Sequence, residues 1–206
     1  MAHGDDKGLK LPPKLAPHQI VIVPIIPNDK DKDSVMKVVN LLNDSLSEFR
    51  VIIDDRSEVS PGFKFNEWEQ KGVPLRVEVG PKDIEKNTIL VSRRDDESKN
   101  SYPMDDVQNT LRKLLDEIQD NLYKNSENTL KENTTHVESF SELIEVLNSK
   151  KGFVSCFWKE NKEDELKIKE ETSATLRCYP LENTDSEKAV NSDSENGNFA
   201  IFSKAY

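Results

Sequence analysis

Glu69 and Arg76 are the pair in this chain whose types and spacing most readily do chemistry. An arginine fork donates paired hydrogen bonds and a carboxylate accepts them, so together they can read a planar, hydrogen-bonding ligand. The elements around them decide whether they meet. Residues 65–71 are predicted as a short helix, closed by Gly72. Residues 73–79 then alternate as a strand, with Leu75, Val77 and Val79 on one face and Arg76 and Glu78 on the other. The helix offers Glu69 beside the strand's polar face. The same residues also fit a solvated strand face with an incidental ion pair, and spacing does not choose between the two.

The wider pattern is predicted as α/β. Residues 1–17 hold turn chemistry and no long apolar period, an extended lead-in. Residues 19–25 form a continuous β-branched run, as in a strand buried on both faces. Val35, Val38, Val39, Leu42, Leu46 and Phe49 recur at helical spacing over 34–49, with Asp31 or Asp33 as a cap. Further strands are expected over 50–54 and 88–91, and a helix over 105–123. Alternating strands and helices imply a mixed, mostly parallel sheet flanked by helices. Residues 124–138 are polar and expected to be a frayed helix or linker. A small α+β unit follows, with a helix near Leu143, Ile144 and Leu147 and strands over 152–158, 175–181 and 198–202. Between the last two lies a run of Asn, Ser, Asp and Glu, about 183–197, expected to be a disordered acidic loop. The resulting division is 1–17, 18–125 and 126–206.

Composition limits the function. The 206 residues are 34% hydrophobic and 33% charged, with a net charge of −10. Such a chain does not advertise nucleic-acid binding, so any RNA must meet a local patch. Cys156 and Cys178 make no disulfide framework. The absence of a membrane-length apolar run and of a secretory leader leads to an expectation of a cytoplasmic protein without membrane contact. Mononucleotide-binding glycine motifs are missing. His3, His18 and His136 are scattered without a nucleophile at readable spacing. Asp5 and Asp6 read as turn residues rather than a metal pair. Lys150, Lys151 and Lys167–Lys169 read as solvated faces, with contact to an RNA backbone as the alternative.

Three blocks carry a resemblance that covers the whole chain: Pro61–Asp83, His3–Pro17, and Lys167–Cys178 with the terminal Lys204-Ala205-Tyr206. Their wording resembles prolyl-tRNA synthetases of the archaeal and eukaryotic type, which are class II enzymes. On that resemblance residues 1–17 match the exit from a catalytic domain, 18–125 an anticodon-binding domain and 126–206 a C-terminal domain. It implies the tRNA-binding part of a proline–tRNA ligase, with proline tRNA as partner. Its anticodon-contacting set would be Glu69, Arg76, Lys82 and Lys99, and Tyr206 would act as a C-terminal tether. The family's ATP- and proline-gripping motifs precede the His3 block. No catalytic residue is therefore expected here, and ATP and Mg would serve the parent enzyme, a homodimer through its catalytic domain. The family often holds a four-cysteine zinc site in its C-terminal domain. Here Lys159 follows Trp158, no cysteine follows Cys178, and neither cysteine matches a ligand position, so no zinc is expected. The alternative is a stand-alone α/β protein-interaction module that kept this fold and lost RNA contact.

Overall fold

The structure, a computed structural model, describes residues 3–183 and 185–204. The chain divides into two compact units, Met1–Ser126 and Glu127–Tyr206.

In the first unit a short hairpin, β1 (Gly4–Asp5) and β2 (Gly8–Leu9), precedes β3 (Ile20–Pro24). Then come α1 (Lys32–Ser45), β4 (Val51–Ile53), α2 (Pro61–Gln70), β5 (Leu75–Val79), α3 (Pro81–Glu85), β6 (Thr88–Arg93) and β7 (Lys99–Pro103). The long helix α4 (Val107–Glu132) follows. The main sheet has the order β4-β3-β5-β6-β7. It is mixed, as expected, but its parallel share is smaller than expected. β3 pairs in parallel with β4 and β5, while the β5–β6 and β6–β7 pairings are antiparallel. The reason is connection length: α1 and α2 provide the crossovers that parallel pairing needs, whereas short turns join the later strands.

The strand β3 is buried on both faces, and each face has its own cover. Ile20, Ile22, Leu75, Val77 and Val79 pack against Val35, Val39 and Leu42 of α1 and Leu111, Leu115 and Ile118 of α4. Val21 and Val23 pack on the opposite side against Trp68 of α2 and Val73, with Phe65 at the margin. On the β5–β7 side of this second face the sheet carries polar side chains, and α2 meets them through Phe65 and Glu69. Helix α4 runs beyond the expected end at 123. Its outer half buries no apolar stripe, and pairs such as Glu127 with Lys131 at 3.0 Å, four residues apart, suit a solvated helix.

The second unit holds β8 (Thr134–His136), α5 (Phe140–Ser149), β9 (Phe153–Trp158), α6 (Lys162–Thr172), β10 (Ala174–Cys178), β11 (Ser186–Lys188) and β12 (Asn196–Lys204). Its sheet has the order β10-β12-β9-β8, with β11 also paired to β12. Trp158, Phe202, Leu143, Ile168 and Val154 form its core. The acidic loop expected to be disordered over 183–197 needs correction. Ser186, Glu187 and Lys188 pair with Asn198, Gly197 and Asn196, and Ala189 is 2% exposed. Backbone pairing to β12 supplies the order that the polar side chains do not.

Candidate functional site

Helix α2 and strand β5 build the site. Ser60 caps α2, its hydroxyl accepting from Phe63 N at 3.3 Å, and Pro61 opens the first turn. Lys64 and Trp68 share the buried side of the helix. Phe65 and Glu69, also four residues apart, lie one step round it. Gly72 ends the run at φ +72, where a Cβ would stand 2.6 Å from the Leu9 side chain. Any larger residue there would be strained and would collide with the hairpin.

On β5, Arg76 faces Ser92 of β6, and Ser92 faces Lys99 of β7. These side chains and Glu78 therefore stand on one face of the sheet. Arg76 Nε donates to Glu78 Oε1 at 3.2 Å, Nη1 to Glu69 Oε1 at 3.3 Å and Nη2 to Ser92 Oγ at 3.2 Å. Its guanidinium lies 4.1 Å from the centre of the Phe65 ring. Lys99 Nζ sits 2.9 Å from Glu78 Oε2 and 5.6 Å from the same ring. The side chains of Arg76 and Glu78 are 11% and 7% exposed, that of Glu69 40%. The fork is thus held from below by an aromatic face and a buried carboxylate. Its outer partner, Glu69, is the more exposed of the two carboxylates. Three of the five guanidinium N–H groups are engaged, leaving two. The recess beside them, lined by Trp68, Val73 and Arg94 among others, measures about 20 Å³. It admits a water molecule and nothing larger.

A second network fixes α2. Asp54, at the end of β4 and 4% exposed, accepts from Arg56 Nε at 2.8 Å, Arg56 Nη2 at 2.7 Å and Trp68 Nε1 at 2.8 Å. Lys64 Nζ donates to the Asp54 carbonyl at 3.0 Å, and Arg56 reaches on to Glu67 at 2.7 Å. Hydrogen bonds from Arg56 hold the Asp54 carboxyl down to about 2, against the pull of burial. Arg94 makes a third link. It donates to the Glu69 carbonyl at 3.1 Å, to Gly8 O at 3.2 Å and to both oxygens of Asp5, at 2.6 and 3.0 Å. This pairing keeps the Asp5 carboxyl well below the usual carboxylate range. Asp5 is thereby an ion-pair partner as well as a turn residue.

Of the residues singled out in the sequence, Glu69, Arg76 and Lys99 come together. Lys82, on α3, is exposed and makes no hydrogen bond or ion pair with them among the described residues. Tyr206 lies outside the described residues. Sequence reasoning missed the roles of Phe65, Glu78, Ser92, Asp54, Arg56 and Arg94. The first two were within reach, Phe65 by its i,i+4 spacing to Glu69 and Glu78 by its i+2 spacing to Arg76. Among the described residues, no group of three or more His, Cys, Asp or Glu could hold a metal ion. No described helix is long and apolar enough to cross a membrane.

Residues 19–114 match the family model of the anticodon binding domain, and residues 140–206 match that of the prolyl-tRNA synthetase C-terminal region. A proline–tRNA ligase from a Roseiflexus species is 43% identical over 211 residues, covering 100% of this chain and 44% of the relative. The same enzyme from Natranaerobius thermophilus is 44% identical, with 88% of this chain and 38% of the relative covered. A crystal structure of prolyl-tRNA synthetase from Cryptosporidium parvum, complexed with L-proline and AMP, aligns with a TM-score of 0.88 at 36% identity. It covers 100% of this chain and 44% of that one. The chain thus spans less than half the length of the relatives it matches. It belongs to the prolyl-tRNA synthetase family, whose C-terminal region it matches from the anticodon binding domain onward.

Proposed function

We propose that the first unit binds the anticodon of proline tRNA, and that Arg76 and Glu69 read its guanines from the rim of the sheet. The observation that carries this is the Arg76 fork, seated 4.1 Å above Phe65 and bonded to a half-exposed Glu69. Arginine can donate to guanine O6 and N7, and a carboxylate can accept from guanine N1 and N2. When a base arrives, Glu69 exchanges Arg76 for the guanine edge, and the two spare guanidinium N–H groups supply donors. Lys99 takes a neighbouring phosphate or base edge. Lys82 acts farther along the strand, as a phosphate contact.

On this reading the chain is the tRNA-binding part of a proline–tRNA ligase, and residues 1–17 lead out of a catalytic domain. That domain would hold ATP, Mg and proline and pair with a second copy of the enzyme in the cytoplasm. Tyr206 would tether the C-terminus to it. The relatives' length, of which this chain covers 44%, supports the division of labour. The isolated chain should then give no proline-dependent ATP–pyrophosphate exchange.

The test is Arg76→Ala, with affinity measured for a proline anticodon stem-loop and for one lacking the guanines. Losing one bidentate base contact should cost about 1–3 kcal/mol on the cognate RNA and little on the other. Equal losses on both would mean that Arg76 serves the fold or the backbone, not the base.

A further inference from the structure

The second unit contains a cavity of about 810 Å³ that the anticodon reading does not use. Leu147 and Phe153 line it, and so do Lys150, Lys151, Arg177 and Lys204. Among the described residues no Asp or Glu is part of the lining, and none of the four cations has an ion-pair partner. In a chain with a net charge of −10 this is a local reversal of sign. The partial negative charge at the end of α5 opposes it, but that is about half an elementary charge against four full ones.

The rim is built rather than loose. Gly152 stands at φ +114, and a Cβ there would come within 2.2 Å of the Asn133 carbonyl oxygen. Phe153 N donates to that oxygen at 2.8 Å, so the Lys150–Gly152 turn is pinned to the start of β8. Ser203 Oγ donates to Gly152 O at 2.9 Å, and Arg177 Nε donates to Ser203 O at 3.2 Å. Arg177 is thereby anchored through one nitrogen, with its terminal nitrogens unpartnered among the described residues.

We propose that this cavity is a binding site for a nucleoside phosphate, the cations taking the phosphates and Phe153 taking the base. The volume falls in the range of small-ligand pockets, about 300–1,000 Å³. Four unneutralised cations suit an anion of several charges. Phe153, 37% exposed, offers a ring face of the kind on which bases stack. The shared chemistry has two sources: a free mononucleotide, or one unpaired nucleotide of an RNA strand. The site lies wholly in the second unit, so it does not depend on how Arg76 reads an anticodon.

Calorimetric titration of the full chain with ADP, with pyrophosphate and with a uridine oligonucleotide tests the site. The double substitution Lys150→Ala/Lys151→Ala should weaken binding at least about tenfold, since phosphate affinity follows the number of cations engaged. Lys162→Ala/Lys169→Ala, exposed on α6 and outside the cavity, should change it less than about twofold on the same grounds. Phe153→Ala should remove the preference for ADP over pyrophosphate. Amide spectra confirm that each variant is folded. Binding of ADP identifies the free nucleotide as source, and binding of the oligonucleotide alone identifies the strand; either supports the site if Lys150 and Lys151 are required. The proposal is overturned if neither probe binds, if the α6 pair matters as much, or if pyrophosphate and ADP bind alike and Phe153→Ala changes nothing.

Discussion

Asp54→Asn separates the network that positions α2 from the network that would read a ligand. Asn keeps the shape of the side chain but replaces a carboxylate oxygen by a donor. Arg56 and Trp68, which both donate to Asp54, then point at an N–H or at a single neutral oxygen. Breaking a buried ion pair from one side costs about 3–5 kcal/mol. The titration of Asp54 gives an independent figure. Its carboxyl is lowered from 3.8 to about 2, which at 1.36 kcal/mol per unit favours the ionised form by about 2 kcal/mol in the folded state. The sign follows from the direction of the shift. A carboxyl depressed on folding contributes stability above its unfolded value of 3.8 and loses it as pH falls toward 2. Roughly half of the contribution is gone at pH 3. The assay is urea unfolding of both proteins at pH 7 and pH 3, followed through resolved amide signals of β3, which report the first unit alone. Other carboxylates titrate in both proteins and cancel in the difference. The difference should be about 3–5 kcal/mol at pH 7 and smaller by about 1 kcal/mol at pH 3. A difference below about 1 kcal/mol, or one independent of pH, would refute the account of Asp54 as the anchor of α2.

Glu78→Gln removes the charge beneath Arg76 and Lys99, each such bond being worth about 1.5–3 kcal/mol. Discrimination between stem-loops with and without the anticodon guanines should fall. Affinity for RNA in general should rise at low salt, because a negative charge near the backbone is lost. Binding measured at two salt concentrations checks both, and unchanged discrimination would show that Arg76 needs no support from Glu78. The cysteines should differ in reactivity. Cys178 is exposed, while burial pushes the Cys156 thiol up to about 12. A thiol reagent at pH 8 should label roughly one cysteine per folded chain and roughly two in urea, since the thiolate is the reacting form. Two rapid labels on the folded protein would contradict the packing of β9.

The alternation of β5 was legible because it is periodic: Leu75, Val77 and Val79 face the core, and Arg76 and Glu78 face away from it. The helix before it was legible because Gly72 closes it. The register was not legible. Ser92 and Lys99 enter the site only because β6 and β7 turn back in antiparallel pairing, and nothing local to Lys99-Asn100-Ser101-Tyr102-Pro103 marks an edge strand. Lys82 follows β5 directly in the sequence, yet it stands on α3 beyond the end of the strand. The resemblance, not a local pattern, singled it out. The hairpin of β11 and β12 was hidden for another reason. Its stability comes from backbone pairing and two small apolar residues, Ala189 and Val190, which composition averages out.

The acidity of the chain looks like an argument against RNA until the carboxylates are followed to their partners. Asp54, Glu67, Asp5 and Glu78 each bond to an arginine or lysine. They are spent on holding α2, the hairpin and the Arg76 fork in place. Such groups present little free negative charge to a ligand, because the field of each is largely cancelled at short range by its partner. What they supply is order: Arg56 and Trp68 fix the helix, Arg94 fixes the backbone of Glu69, and Glu78 fixes the fork. A base-reading site needs that order more than it needs net charge, since phosphate contacts give affinity to every RNA while fixed donors and acceptors distinguish one base from another. On the proposed function, such an arrangement would suit a reader with weak general attraction for RNA, in which Glu69, its side chain 40% exposed, exchanges Arg76 for a base.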